Sequence, residues 1–167
     1  LHQRTAADTR KAAARRFAVL HNFPVDRNPV ANNADAAARR GRVVILVEDD
    51  ESLREALMRV MRVSGLDARA YGSAEALLAE RAQHRVDCLV VDLNLPALSG
   101  LDLVDLLRQC GVTAPAVAIS ARDEPRVREE VLRRGVERFL AKPFLGSTLV
   151  GTVNELLVSR HAGTDDQ

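Results

Sequence analysis

An α/β fold, a parallel sheet wound with helices on both faces, is predicted by two features of this 167-residue chain. Five strand-length segments alternate with five segments of helical period, which is the pattern of parallel βα units. Several of the strand segments are unbroken apolar runs, as strands buried on both faces require.

The pattern becomes regular from residue 42. VVILV (43–47) is a continuous apolar run of strand length. ESLREALMRVMRVSG (51–65) places Leu53, Leu57, Val60 and Met61 on one helical face, with Gly65 set to end it. DARAY (67–71) is a weaker strand that suits a sheet edge. SAEALLAERA (73–82) is a helix with Ser73 as its N-cap. DCLVV (87–91) is the third strand, and SGLDLVDLLRQCG (99–111) reads as serine cap, helix and glycine stop. PAVAI (115–119) is the fourth strand, and DEPRVREEVLRRG (123–135) is a helix with an early proline and a closing glycine. VERFLA (136–141) is the fifth strand, and LGSTLVGTVNELLVS (145–159) the last helix. At this level the strand order stays open between 2-1-3-4-5 and other doubly wound orders.

In open parallel sheets, ligands bind outside the carboxyl ends of the strands. Strand one is followed by Glu48, Asp49 and Asp50, strand three by Asp92, strand four by Ser120 and strand five by Lys142. The edge-like second strand offers only Gly72 and Ser73, so the four strands counted as non-edge supply one rim. Carboxylates about 4 Å apart repel by about 4 kcal/mol per pair at an effective dielectric near 20. A cation between them, or a retained proton, relieves this. With hard oxygen donors and no accompanying His or Cys cluster, Mg²⁺ is the expected guest. Lys142 is the only lysine beyond Lys11 in a chain that otherwise uses arginine. An acid, a divalent metal, a compact ammonium and a hydroxyl together suit a phosphoryl group. Asp92 stands alone at the central strand as the acceptor, and Glu48 with Asp49 forms the pair that can hold the metal.

VILVEDDESLR, VVDLNLPALSG, AISA and FLAKPF stand in an order and spacing that resemble the receiver domain of two-component response regulators. The resemblance runs from about residue 43 to 159. It implies a flavodoxin-like fold with strand order 2-1-3-4-5 and a CheY-like phosphorylation switch rather than an enzyme. On this match Asp92 is the phosphoacceptor. Asp49 and Asp92 ligate Mg²⁺ directly, the backbone carbonyl of Asn94 completes the protein ligands, and Glu48 acts through water. Ser120 is the switch hydroxyl, Phe139 the switch aromatic, and Lys142 the contact to the phosphoryl group, with a cis bond to Pro143. Three positions depart from the commoner pattern: Glu48 for Asp, Phe139 for Tyr and Ser120 for Thr. The partner implied is a sensor histidine kinase or a histidine phosphotransfer protein, with Leu53, Pro143 and Phe144 as the expected docking patch. Output is expected through the face of helix 123–134, strand 136–141 and the last helix, by contact with a downstream protein or a second copy of the chain.

Near-zero net charge hides an asymmetry. Residues 1–42 carry nine Arg/Lys against three Asp, and residues 43–167 carry fifteen against twenty Asp/Glu. A basic Ala/Arg-rich arm or linker (1–41), partly helical over 5–20, is thus expected before a receiver domain (42–160) and a flexible tail (161–167). Such an arm can bind nucleic acid or an anionic membrane, but an unstructured extension or the remnant of an upstream domain is the favoured reading. The two cysteines read as free thiols, and the twin arginine at 15–16 lacks the apolar run of an export signal, so a cytoplasmic location is expected. No apolar stretch reaches the roughly 18 residues of a membrane span. The chain starts with Leu1, which fits a fragment, a processed form or an unusual start codon. A single-domain regulator and a receiver fragment of a larger hybrid kinase or regulator both fit. Two rivals are a Mg²⁺-dependent aspartyl-phosphate hydrolase, which needs an acid where Asn94 stands, and a phosphorylation-independent pseudo-receiver. Asp102, Asp105 and the arginines at 126, 128, 133 and 134 are expected to be solvated surface.

Overall fold

The computed structural model describes residues 42–80 and 85–162. The expected arm over 1–41 and residues 163–167 lie outside the described residues, as do 81–84 at the end of the second predicted helix. Ten elements follow in order: β1 (Val43–Val47), α1 (Glu51–Val63), β2 (Asp67–Tyr71), α2 (Ala74–Ala79), β3 (Cys88–Asp92), α3 (Gly100–Gln109), β4 (Ala116–Ser120), α4 (Pro125–Arg133), β5 (Arg138–Ala141) and α5 (Gly146–Ala162). All five strands are parallel, in the order β2-β1-β3-β4-β5, so the flavodoxin-like arrangement holds.

Local chemistry sets the helix boundaries. Asp50 Oδ1 accepts the Leu53 N–H at 2.9 Å, Ser73 Oγ that of Ala76 at 3.1 Å, and Ser99 Oγ that of Asp102 at 3.2 Å. Each cap satisfies an amide that the first helical turn leaves without a partner. Just beyond α1, α3 and α4, Gly65, Gly111 and Gly135 adopt positive φ and close the helix in a left-handed turn. The last helix continues to Ala162, past the predicted stop at 159 and into the segment expected to be tail.

Alternation along each strand sends side chains to two cores. On one face Ile45, Val47, Leu89, Val91 and Ala118 pack with Leu77 and Leu78 of α2, Leu103, Val104 and Leu107 of α3 and Val131 of α4. On the other, Val44, Leu46, Val90, Val117 and Ile119 pack with Leu57 and Met61 of α1 and Leu149, Val153, Leu156 and Leu157 of α5. Each fully buried aliphatic side chain of this kind contributes about 1.5–3 kcal/mol. Cys88 is one of the buried residues of the second core, and both cysteines are free thiols.

Four sequence expectations need correction. Strands β3 and β4 each end one residue later than their apolar runs, so Asp92 and Ser120 are the last ladder residues rather than the first loop residues. The fifth strand starts at Arg138, not 136. Val136 closes the end of α4 by donating its N–H to Val131 O, and the Glu137 carboxylate accepts the Ala116 N–H at 2.7 Å. Strand five, counted with the non-edge strands, is the second edge of the sheet. Finally, Asp102, Asp105 and Arg134 are not a solvated face: the Arg134 guanidinium bridges Asp102 and Asp105, tying the end of α4 to α3.

Candidate functional site

The carboxyl ends of β1, β3, β4 and β5 meet at one rim because the parallel ladders bring them level. Val47 pairs with Val91, Asp92 with Ile119 and Ser120 with Ala141. Glu48 follows β1 directly and is fixed to the edge strand by its N–H, which donates to Tyr71 O at 3.1 Å. Lys142 follows β5, and its N–H donates to Ser120 O at 2.8 Å. Residues 94 positions apart in the chain therefore face each other across the rim.

The Lys142 ammonium bridges two carboxylates. It donates to Glu48 Oε2 at 2.8 Å and to Asp92 Oδ2 at 2.6 Å. Both carboxylates are sunk in the fold, Glu48 at 0% and Asp92 at 4% exposure, whereas Asp49 is exposed. Their remaining oxygens also hold donors: the Asp50 N–H reaches Glu48 Oε1 at 3.1 Å and the Asn94 N–H reaches Asp92 Oδ1 at 2.8 Å. Burial pushes the Glu48 carboxyl above its ordinary pKa of 4.5 and the nearby Asp92 charge adds to this, against the pull of the Lys142 hydrogen bond. Burial by itself lowers the Lys142 pKa, but the hydrogen bonds to Asp92 and Glu48 outweigh it and the net direction is upward. One ammonium thus serves two buried carboxylates.

Glu48, Asp49 and Asp92 each offer a carboxylate oxygen within 4.8 Å of the others. Three hard oxygen donors at this spacing, with one of them exposed to solvent, fit a divalent cation that keeps part of its water shell. The donor set therefore suits Mg²⁺ and offers nothing to a thiol-seeking metal.

The remaining predicted residues surround this cluster in different states. Ser120 is fully buried and its Oγ accepts the Arg122 N–H at 3.0 Å, a satisfied turn hydroxyl in this state. Asn94 is exposed beside Asp92. Phe139 is half-buried, packed against the α3–α4 core, with the Arg128 guanidinium 5.0 Å from its ring centroid. Leu53 and Phe144 both pack at the margin of the α1–α5 core, and Pro143 is exposed beyond the cis Lys142–Pro143 bond.

Two supporting residues escaped the sequence reading. Arg54 Nη1 donates to the carbonyls of Glu48 at 2.8 Å and Asp49 at 3.2 Å, holding the acidic turn from behind. Its place in the first turn of α1, just after the acidic triplet, was the available signal, but position alone does not tell a back-bonding arginine from a solvated one. The second is Gly100, where an added Cβ would overlap the Asp92 carbonyl oxygen. The start of α3 packs onto the backbone at the end of β3 only because that Cβ is missing.

Among the described residues, no helix is long and apolar enough to cross a membrane. The family model "Response regulator receiver domain" matches residues 44–154. Nodulation protein W of Bradyrhizobium diazoefficiens is 34% identical over 111 residues, covering 66% of this chain and 49% of that protein. Transcriptional regulatory protein PrrA of Mycobacterium tuberculosis is 36% identical over 118 residues, covering 70% of this chain and 50% of that protein. The chain thus spans about half the length of the curated relatives it matches. Among solved structures, the receiver domain of the Francisella response regulator 1452 superposes with a TM-score of 0.68 at 25% identity, covering 72% of this chain and 99% of that one. With a family match over more than half its length and this shared architecture, the chain belongs to the receiver domain family of two-component response regulators.

Proposed function

We propose that residues 42–160 form a phosphoacceptor switch in which Asp92 receives a phosphoryl group from the histidine of a sensor kinase or phosphotransfer protein. The observation that carries this reading is the Lys142 ammonium spanning Glu48 and Asp92 at the mouth of a three-carboxylate cluster. An Asp92 oxygen attacks phosphorus, the bond to the donor nitrogen breaks with its electron pair, and an acyl phosphate forms. Asp49, Asp92 and the Asn94 carbonyl are the protein ligands we assign to Mg²⁺, with Glu48 acting through water. That ion, when bound, neutralises charge on the phosphoryl oxygens.

The chain's own groups do the rest. Lys142 already lies within 2.6 Å of the acceptor and exchanges a carboxylate contact for a phosphoryl oxygen. Ser120 gives up the Arg122 N–H and donates its hydroxyl to the phosphoryl group. The space it leaves alters the packing of Phe139 and with it the α4–β5–α5 face. Two of its three elements are lightly seated: α4 has one fully buried residue, Val131, and β5 has none. The switch is a shift between two populations, set by how differently the phosphoryl group interacts with each. Leu53, Pro143 and Phe144 form the proposed donor-docking patch, and the α4–β5–α5 face meets a downstream protein or a second copy. The basic arm and the tail lie outside this switch, which acts in the cytoplasm.

The test is incubation with acetyl phosphate and Mg²⁺, followed by intact-mass analysis. One added phosphoryl group is expected on the wild type, and none on Asp92→Asn or after chelation of the metal. A wild-type chain that stays unmodified overturns the proposal in favour of a phosphorylation-independent binding module.

A further inference from the structure

The N-terminal end of α4 is secured differently from those of α1, α2 and α3. Asp50, Ser73 and Ser99 cap those helices with side-chain hydrogen bonds, whereas Glu124 makes none at the start of α4 and Pro125 follows it. What holds this end is a three-part contact. Arg128, in the first turn of α4, sets its guanidinium 5.0 Å from the Phe139 ring centroid, within reach of a cation–π interaction. The same guanidinium is paired with Asp123 Oδ1 at 2.5 Å. Asp123 stands in the turn between β4 and α4, three residues beyond Ser120, and that turn is itself fastened by the Arg122 N–H on Ser120 Oγ. One cation therefore joins the Ser120 turn, helix α4 and strand β5.

We propose that Arg128, aimed by Asp123, is a positioning residue that holds Phe139 in its present place and so stabilises the resting state of the switch. This rests on the receiver reading above. In the switch proposed above Ser120 turns from the Arg122 amide toward the phosphoryl group, and the turn that carries Asp123 changes shape with it. Arg128 loses the carboxylate that aims it, and Phe139 loses its cover. The other end of α4 stays tied through Arg134 to Asp102 and Asp105 on α3, so the motion concentrates at the Arg128 end. Arg128 and Asp123 are each about half exposed, at 50% and 48%. A contact of this exposure biases a two-state equilibrium by about two- to fivefold.

The experiment titrates the full chain with beryllofluoride, an acyl-phosphate mimic, in the presence of Mg²⁺. Arg128→Ala is expected to bind it about two- to fivefold more tightly than wild type, because the resting state alone loses support. Loss of a positive charge would by itself weaken binding of an anion, so tightening cannot arise that way. Arg126→Ala, which removes the same charge from the same helix, is expected to show no tightening. In a Phe139→Leu background the Arg128→Ala effect should vanish. An unchanged or weakened affinity in Arg128→Ala, or the same tightening with leucine at 139, overturns the proposal. Should the wild type bind no beryllofluoride, the receiver reading fails and the switch role of Arg128 falls with it. A urea double-mutant cycle on Arg128 and Phe139 needs no phosphoryl mimic and still reads the contact, which is refuted if the two substitutions are additive.

Discussion

Replacing Lys142 by methionine keeps the apolar stem of the side chain and removes the one cation between two sunken carboxylates. The Glu48 and Asp92 side chains are 1% and 5% exposed, so neither can recover its hydration without local opening. Removing one partner of a buried ion pair costs about 3–5 kcal/mol. A carboxyl can escape that cost by taking a proton. For an ordinary pKa of 4.5 this route costs about 3.4 kcal/mol at pH 7 and about 0.7 kcal/mol at pH 5. The expected loss is therefore about 3 kcal/mol at pH 7, shrinking below about 1 kcal/mol at pH 5. The sign follows from linkage. Burial, and next the Asp92 charge, already raise the Glu48 pKa, so the folded chain holds this proton more readily than the unfolded one. Stability from this group falls as pH rises above 4.5, and loss of the ammonium steepens the fall. Lys142 works in the opposite sense: its raised pKa contributes fully below 10.5 and is lost only as pH rises through the higher folded value. Urea unfolding of wild type and Lys142→Met at several pH values between 5 and 8, with and without Mg²⁺, measures all of this. Mg²⁺ should restore part of the loss, since a divalent ion bound by the folded state alone stabilises it by mass action. A loss of equal size at every pH, or one that Mg²⁺ leaves untouched, would refute the charge-compensation argument.

Three further outcomes are expected. Gly100→Ala forces a Cβ into the Asp92 carbonyl, so urea unfolding should show a loss of about 1–3 kcal/mol and acetyl phosphate should modify Asp92 more slowly; unchanged stability would contradict the close approach. Ala97 holds φ at 61° in the turn after Asp92, so Ala97→Gly should raise stability by about 0.5–1 kcal/mol, the left-handed strain relieved less the extra entropy of glycine. Arg54→Ala removes two hydrogen bonds to the acidic turn, and Mg²⁺ titration followed by NMR should show affinity falling severalfold for a stability cost of about 1 kcal/mol; unaltered Mg²⁺ affinity would mean that the turn holds its own shape.

Much of the architecture was legible because its signals are local. Helical period, the caps at Ser73 and Ser99 and the glycine stops act between residues a few positions apart, and any fold must honour them. The polar residues at strand ends stood out for the same reason, since each interrupts an apolar run. Hydropathy placed the ends of β3 and β4 one residue short, because ladder bonding is a backbone matter: Leu93 N–H still donates to Ile119 O past the polar Asp92.

What the sequence by itself determined was the succession of elements and the kinds of group brought to their ends. Tertiary structure decided which strands became neighbours, an order that period and hydropathy left open and only the motif resemblance implied, and hence that one ammonium reaches across 94 and 50 residues to two buried carboxylates. It alone decided that Arg134 crosses to α3, that Arg54 turns back onto the acidic turn and that Arg128 lies over Phe139. An arginine on a polar helix face reads the same whether it meets water or a partner, because its choice depends on the distance to groups that only the packed sheet brings near.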